Sequence, residues 1–486
     1  MSGKTGKRYF WVAYGLSTLL LSFGSNLATA WDLPQRMEDP LFTRPPVLDR
    51  GAILPGDHQV VVCSGNEPLN HPLTLSDAVD LALCRNPQVH AAWAAIKVQA
   101  GAVGEARAAY LPTATATLSQ LHTRTEFPGV PEANSSVNGH TIYGGLTWRI
   151  FDFGAREGNN EAARLLLVAA MLAHDAALQK TLSNVVSAYF EATSARAAFG
   201  ARTESRQLAD DALAATVRRE RRGAAGQSDT LQASTATAKA QLAEQRAAAD
   251  YNKSLAMLAY AIGLSGGAFV ELADMPEDEP GNAVGDLKGW LDEAMARHPA
   301  IAAARAQLEA AQAKVRQVRG EGRPTVDLTG NIYQNGYPNQ GLQRTRSTVT
   351  TVGISLTIPL FEGFARTYKV VGANAEVDQR AAQFEDTEHQ VLTDVVKTHA
   401  DATSALANLT ASERLLNSAR SAVRSSENRY AKGAADVLEL LSTQSALSDA
   451  LQERVRCLSE WRSTRLRLMA SAGVLAGDQI HAIANR

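Results

Sequence analysis

Near residue 150 the chain reads IFDFGAR (Ile150 to Arg156), and further on it reads LFEGFAR (Leu360 to Arg366). Each copy follows a stretch of alternating apolar and polar residues, and each precedes a very long, polar, alanine-rich segment. The chain therefore makes the same strand-to-helix transition twice. Its surroundings repeat as well. The segment from Leu73 (LTLSDAVDLALCRNPQVHAAW) aligns with that from Asp286 (DLKGWLDEAMARHPAIAAARA). Asn86-Pro87 matches His298-Pro299, and Leu111-Pro112 matches Arg323-Pro324. RERRGAAGQSD (Arg219 to Asp229) answers RYAKGAAD (Arg429 to Asp436). This is a tandem duplication with a period of about 210 residues, far beyond the 20 to 50 of a solenoid repeat.

Each half has one plan. The pattern predicts a first helix of about 35 residues, Leu75 to Tyr110 and Leu287 to Gly320, closed by an X-Pro step that forces extended backbone. Two strands around a polar loop follow. In the second half Val326, Leu328, Gly330 and Ile332 alternate with Asp327, Thr329 and Asn331. Val352, Ile354, Leu356, Ile358 and Leu360 alternate with Gly353, Ser355 and Thr357. In the first half Ile142, Leu146, Trp148 and Ile150 share a face. Period-two alternation over about 10 residues suits a membrane β-strand, and equally a hairpin of a soluble sandwich.

The helical flanks separate these readings. Residues 155–222 and 365–432 are nearly free of Pro and Gly and predict helices of about 65 residues, roughly 100 Å long. Leu178, Leu182, Val185 and Tyr189 step by four, three and four along the first. Shorter helices, Thr230 to Ile262 and Val437 to Ala472, complete the halves, the latter with a seam at Leu440, Leu447, Leu451 and Leu458. Helices of such length must pack side by side as coiled coils. The resulting plan has a signal peptide over 1–30 and an extended segment over 31–72. A first repeat spans 73–264 with its hairpin at 113–153, and a linker spans 265–285. A second repeat follows over 286–474 with its hairpin at 325–361, and then a tail over 475–486.

Lys4, Lys7 and Arg8, the apolar run Phe10 to Phe23 and Ala28-Thr29-Ala30 have the form of a secretory signal peptide; a retained anchor is the alternative. No cysteine stands at the cleavage position, and no apolar stretch of about 20 residues is seen beyond it. A formal net charge of -2 argues against nucleic acid. Of the three cysteines, Cys63 and Cys84 are candidates for a disulfide in an oxidising compartment, whereas Cys457 falls on a helical seam as a small hydrophobe. No metal-ligand spacing, Walker loop or GxSxG motif is present, so neither cofactor, metal nor catalytic residues are expected.

With its signal peptide, duplicated helix–hairpin–long helix–short helix plan and RxxxG…D turns, the chain resembles the TolC family of outer-membrane channel-tunnels over roughly Leu73 to Val474. The segment ALCRNPQVHAAW is similar to its type I secretion branch, where toxins such as cyclolysin or proteases are exported. The resemblance implies a mixed α+β membrane protein. Each chain would carry four transmembrane strands and long coiled-coil helices. A homotrimer would close a 12-stranded barrel in outer-membrane lipid, continued by a helical tunnel across the periplasm. The implied partners are a periplasmic adaptor (membrane fusion protein) and an inner-membrane ABC transporter or proton-driven pump. The duct serves protein secretion; small-molecule efflux uses the same architecture. A periplasmic coiled-coil adaptor or scaffold is the alternative without a pore, and solubility without detergent distinguishes it.

The resemblance also assigns residues at the periplasmic tip. Asp436 and Glu439, three apart on one helix face, correspond to the acids of the narrowest pore ring; a helix-capping role is the alternative. Ser228, Asp229 and Tyr430 match gate-latching positions. The arginine expected two residues after Gly433 is replaced by Ala435, and the second turn is shorter. Arg219 and Gly223, with Arg429 and Gly433, fit an adaptor-docking groove, or else ordinary helix termination.

Overall fold

The computed structural model describes residues 40–42, 71–129, 132, 134–223, 226–264, 271–274, 284–334, 347–432, 434–435 and 437–475. The expected signal peptide, Cys63, Gly433, Asp436, the tip of the second hairpin and the C-terminal tail lie outside these residues.

The first repeat comprises α1 (Leu75–Arg85), α2 (Pro87–Ala108), β1 (Thr113–Thr125), β2 (Ser135–Phe151), α3 (Ala155–Arg221) and α4 (Gln227–Ala261). The second comprises α5 (Leu287–Arg297), α6 (Pro299–Gly320), β3 (Thr325–Gln334), β4 (Thr348–Thr357), α7 (Ala365–Ala431) and α8 (Val437–Ser471). The single first helix expected in each half is in fact two. Proline lacks an amide hydrogen and disfavours helical backbone before it. Asn86 (φ -68°, ψ 122°) and His298 (φ -64°, ψ 121°) are therefore extended and break the run. Both become caps instead: Asn86 Oδ1 accepts the Gln88 N–H at 2.8 Å, and His298 Nδ1 accepts the Ala300 N–H at 3.2 Å.

Each break is a joint on which the end of the short helix rests. Asn86 Nδ2 donates to the Ala261 carbonyl at 2.9 Å. Gly263 (φ 80°) follows α4 so closely that an added Cβ would lie 2.6 Å from the Arg85 carbonyl oxygen. Gly473 (φ 74°) follows α8, and its Cβ would lie 2.9 Å from Pro299 Cδ. Around the first joint Leu73, Leu178, Leu182, Val185, Tyr189, Phe190, Leu258 and Ile262 form the largest core. Burial there drives the Tyr189 hydroxyl up to about 12. The strip is closed by a parallel bridge between Leu73 and Leu272, whose carbonyl accepts from Arg196 at 2.6 Å. A smaller core around the second joint gathers Ile301, Val395, Leu409, Cys457, Trp461 and Leu468. Cys457 is a free, buried thiol there, and Cys84 is disulfide-bonded.

The strands form one antiparallel sheet in the order β1-β2-β3-β4, so β1 and β4 are its edges. Leu118 opposite Ile142, Trp148 opposite Leu328, and Leu328 opposite Ile354 place the apolar residues of all four strands on one face. A shift in register between Arg149 and Phe151 sets Phe151 opposite Val326, on that face.

The long helices differ in surroundings. α3 packs against α2 and α6 on the barrel side and against α4 and α8 farther away, whereas among the described residues α7 packs mainly against α5, α6 and α8. An 18-residue window of α3 has a mean hydropathy of 1.3, enough by length and composition to cross a membrane, which corrects the sequence expectation of none. Only a third of that window is covered by neighbouring helices of the same chain, Leu178 among it, while Leu166 and Val168 stay exposed.

Candidate functional site

Two regions bear on a conduit: the polar face of the sheet and the far tip of the helices. On the sheet face opposite the apolar one, Arg149 Nε meets Asp327 Oδ1 at 2.9 Å. Tyr143 donates to Asn331 Oδ1 at 3.0 Å and stacks on Tyr333 with centroids 5.7 Å apart. These cross-strand pairs join the first repeat to the second through β2 and β3. Sequence reasoning missed them, although their parity, odd where the apolar residues are even, was a usable signal.

The two transitions set the helices beneath the strands. In the first, Phe153 (φ 51°) and Gly154 (φ 89°) turn the chain; in the second, Gly363 (φ 61°) and Phe364 (φ 63°) do so in the opposite order. Asp152 and Arg156 pair at 2.9 Å with side chains only 9% and 13% exposed. Arg156 also donates to the carbonyls of Ala109, Arg149 and Ile150 and lies 4.8 Å over the Tyr110 ring. Glu362 and Arg366 pair at 2.8 Å in the second transition, but they are 42% and 30% exposed.

At the tip, α3 ends in a turn at Gly223 (φ 68°), whose N–H donates to the Glu220 carbonyl at 2.8 Å. Asp229 folds back on its own helix: Oδ2 accepts the Gly226 N–H at 3.3 Å, and Ser228 Oγ lies 3.4 Å from Oδ1. Thr230 Oγ1 donates to Glu220 Oε2 at 2.5 Å, fastening α4 to α3. In the second hairpin Arg429 donates to Glu439 Oε1 at 2.6 Å and to the Ala434 carbonyl at 3.3 Å. Ser426 and Thr443 bond at 2.6 Å one turn farther in. The two hairpins meet where the Arg219 guanidinium lies 4.9 Å over the Tyr430 ring.

The structure thus joins residues that the sequence reading held apart. Arg429, assigned to docking, pairs with Glu439, assigned to the pore; Arg219, assigned to docking, stacks on Tyr430, assigned to the gate. Ser228 and Asp229 turn onto the start of α4 and are not joined to Tyr430 by any bond among the described residues. Asp436 and Gly433 lie outside them.

A single membrane-type sheet carried on a paired set of helices about 100 Å long defines an outer-membrane channel-tunnel. The family model described as outer membrane efflux protein matches residues 78–264 and 290–474. The chain belongs to that family, whose members are outer-membrane channels. Protein CyaE of Bordetella pertussis is 36% identical over 408 residues, covering 84% of this chain and 85% of its own. Alkaline protease secretion protein AprF of Pseudomonas aeruginosa is 26% identical over 195 residues, 40% of each chain. In fold, the chain matches the CmeC outer membrane channel of Campylobacter jejuni with a TM-score of 0.73 at 17% identity, over 87% of this chain and 94% of that one.

Proposed function

We propose that three copies of this chain form the exit duct of a type I secretion system. The duct passes a large exported protein from an inner-membrane ABC transporter and a periplasmic adaptor through the outer membrane. One observation carries the reading: among the described residues the sheet ends in two unpaired edges, β1 and β4, while its apolar face is built for lipid. Lipid offers no hydrogen bonds to an open edge, so the sheet must close on further copies. Three copies give about twelve strands, an even number within the range of such barrels.

The helices support the same closure. Within the chain, α3 of the first repeat packs against α6 and α8 of the second. By the duplication, α7 requires α2 and α4 of another copy. The surfaces left open fit this: Tyr368 and Val371 on α7, Val98 on α2, and Leu231 and Tyr260 on α4 are all more than half exposed. The choice of protein cargo follows the relatives whose names specify secretion. Efflux, the term in the family description, is the second reading, with small molecules as the cargo.

At the tip, the Arg219–Tyr430 stack holds the two hairpins together and the Arg429–Glu439 pair clamps the second one, in place of the arginine that Ala435 replaces. Asp436 and Glu439 from three chains form the acidic constriction, and the turns at Gly223 and Gly433 face the adaptor. Single-channel recording of the detergent-purified protein in planar bilayers tests this. A small, cation-selective conductance that grows and loses selectivity in Asp436→Ala and Glu439→Ala supports the reading, and unchanged current in both variants removes those acids from the constriction. A deletion strain decides the cargo. Loss of an exported polypeptide with unchanged drug susceptibility supports secretion, and the reverse result assigns efflux.

A further inference from the structure

Between the start of α3 and the end of α6 lies a cleft of about 430 Å³, lined by Phe153, Glu157, Glu161, Arg316, Arg319 and Arg323. Its position relative to the bilayer follows from the sheet. Phe151 is on the apolar face opposite Val326, Phe153 packs on Phe151 with centroids 4.7 Å apart, and Arg323 lies 6.0 Å over the Phe153 ring. The cleft therefore opens where the lipid-facing surface ends on the periplasmic side, at the level of the headgroups, where aromatic and basic side chains collect. It is built within one chain, by α3 and α6.

None of the three arginines forms a salt bridge among the described residues. A helix C-terminus favours a cation, which accounts for Arg319 in the last turn of α6, but Arg316 precedes that turn and Arg323 follows the helix. The duplication provides an internal control. The matching positions of the first repeat are Gly104, Arg107 and Leu111. Arg107 is engaged there, donating to the Leu41 and Phe42 carbonyls at 2.7 and 3.0 Å. The first repeat keeps only the middle arginine, so Arg316 and Arg323 answer to something other than the fold.

We propose that this cleft binds the headgroup of a periplasmic-leaflet phospholipid of the phosphoethanolamine class. The guanidinia of Arg316, Arg319 and Arg323 take the phosphate, for which their planar donor forks are suited. Glu157 and Glu161 on the α3 wall take the ammonium, while the acyl chains lie along Phe151 and the apolar strand face. A purely anionic headgroup would leave those carboxylates opposed by charge, which is why the zwitterionic class is favoured.

Native mass spectrometry of the detergent-purified oligomer tests this, with phosphatidylethanolamine, phosphatidylglycerol and phosphatidylcholine of matched acyl chains. The expected result is one phosphatidylethanolamine retained per chain, at least about 10-fold over phosphatidylcholine, whose methylated ammonium donates no hydrogen bonds. Combined Arg316→Gln, Arg319→Gln and Arg323→Gln abolishes retention. Glu157→Gln with Glu161→Gln removes the preference over phosphatidylglycerol while binding persists, and Arg107→Gln changes nothing. Equal retention of all three lipids, or retention unchanged in the combined arginine variant, overturns the proposal. So does a preference for phosphatidylglycerol that survives in the native protein.

Discussion

The transition after β2 and the transition after β4 are written with nearly the same letters, yet the first is sealed and the second is open. Asp152 and Arg156 are almost wholly covered, whereas Glu362 and Arg366 make the same i,i+4 pair in reach of water. The cause is position among the helices of the chain. The first transition begins α3, which is flanked on both sides by helices of its own chain, whereas the second begins α7, which lacks a neighbour on one side. Burial follows suit. The covered apolar residues of α7 from Val391 onward (Val391, Val395, Ala402, Ala405, Leu409, Leu416, Ala419 and Val423) trace a single heptad-like seam, while the covered residues of α3 spread over a wide face. A nearly identical motif thus acquires different energetics from its neighbours, and in the proposed trimer the open copy is where the next chain docks.

The sharpest way to break this comparison is to remove the acid from each transition. Asp152→Ala leaves Arg156 largely buried without its carboxylate and is expected to destabilise by about 3–5 kcal/mol. Glu362→Ala, in the dissociated chain, is expected to change stability by less than about 1 kcal/mol. Urea unfolding of both variants in detergent decides the matter; equal losses in the dissociated chain would mean that the second transition is already sealed.

The two joints differ in a second way. Asn86 and His298 cap equivalent helices, but only His298 titrates. Burial pulls its imidazole down to about 4 against an ordinary 6.5, an effect that Asp394 partly opposes. The unfolded chain thus takes up a proton that the folded one refuses. Stability is full above about pH 6.5 and falls as the pH drops toward 4, by roughly 3 kcal/mol for a shift of this size. His298→Asn should flatten that part of the pH profile, and an unchanged slope between pH 6.5 and 4 would assign the acid sensitivity elsewhere.

The glycines behind the joints sharpen the symmetry. Gly263→Ala and Gly473→Ala each place a Cβ on a left-handed backbone and against the facing chain, with an expected loss of about 1–3 kcal/mol apiece. Similar thermal shifts would show that the two joints are equivalent despite their different caps. The smallest effect is expected at the tip. Arg219→Ala removes a stack worth about 0.5–1 kcal/mol at an exposed site, too little to alter unfolding but enough to raise the open probability of single channels. Unchanged gating would remove the Arg219–Tyr430 stack from the closed arrangement.

Much of this molecule was legible from letters alone because its constraints are local and periodic. Alternation marked the faces of the strands, since side chains of a pleated strand point to opposite sides, and it placed Trp148 and Ile354 correctly. The absence of Pro and Gly marked the long helices, and steps of three and four found Leu178, Leu182, Val185 and Tyr189, all of them now at the centre of the largest core. The Asn86-Pro87 and His298-Pro299 steps were noticed as matching landmarks, but their effect was underestimated. A proline at the first turn of a helix is favourable, so each step both ends one helix and starts another.

The tip was less legible. Arg219, Tyr430, Arg429 and Glu439 could be found as residues of a turn, but their partners could not, because each pairing joins segments whose separation in space depends on how two hairpins lean together. The basic cleft at residues 316–323 was passed over for the same reason: helix spacing puts Arg316, Arg319 and Arg323 near one face, while the Phe153 ring and the two glutamates come from another element. The sequence by itself determined the duplication, the order of elements, the lipid-facing parity and the membership of the family, because these are written in periodicity along one chain. Only the tertiary structure decided which copy of each motif is sealed, which arginines meet which carboxylates and which helix faces stay open. Those depend on distances between segments that no periodicity encodes.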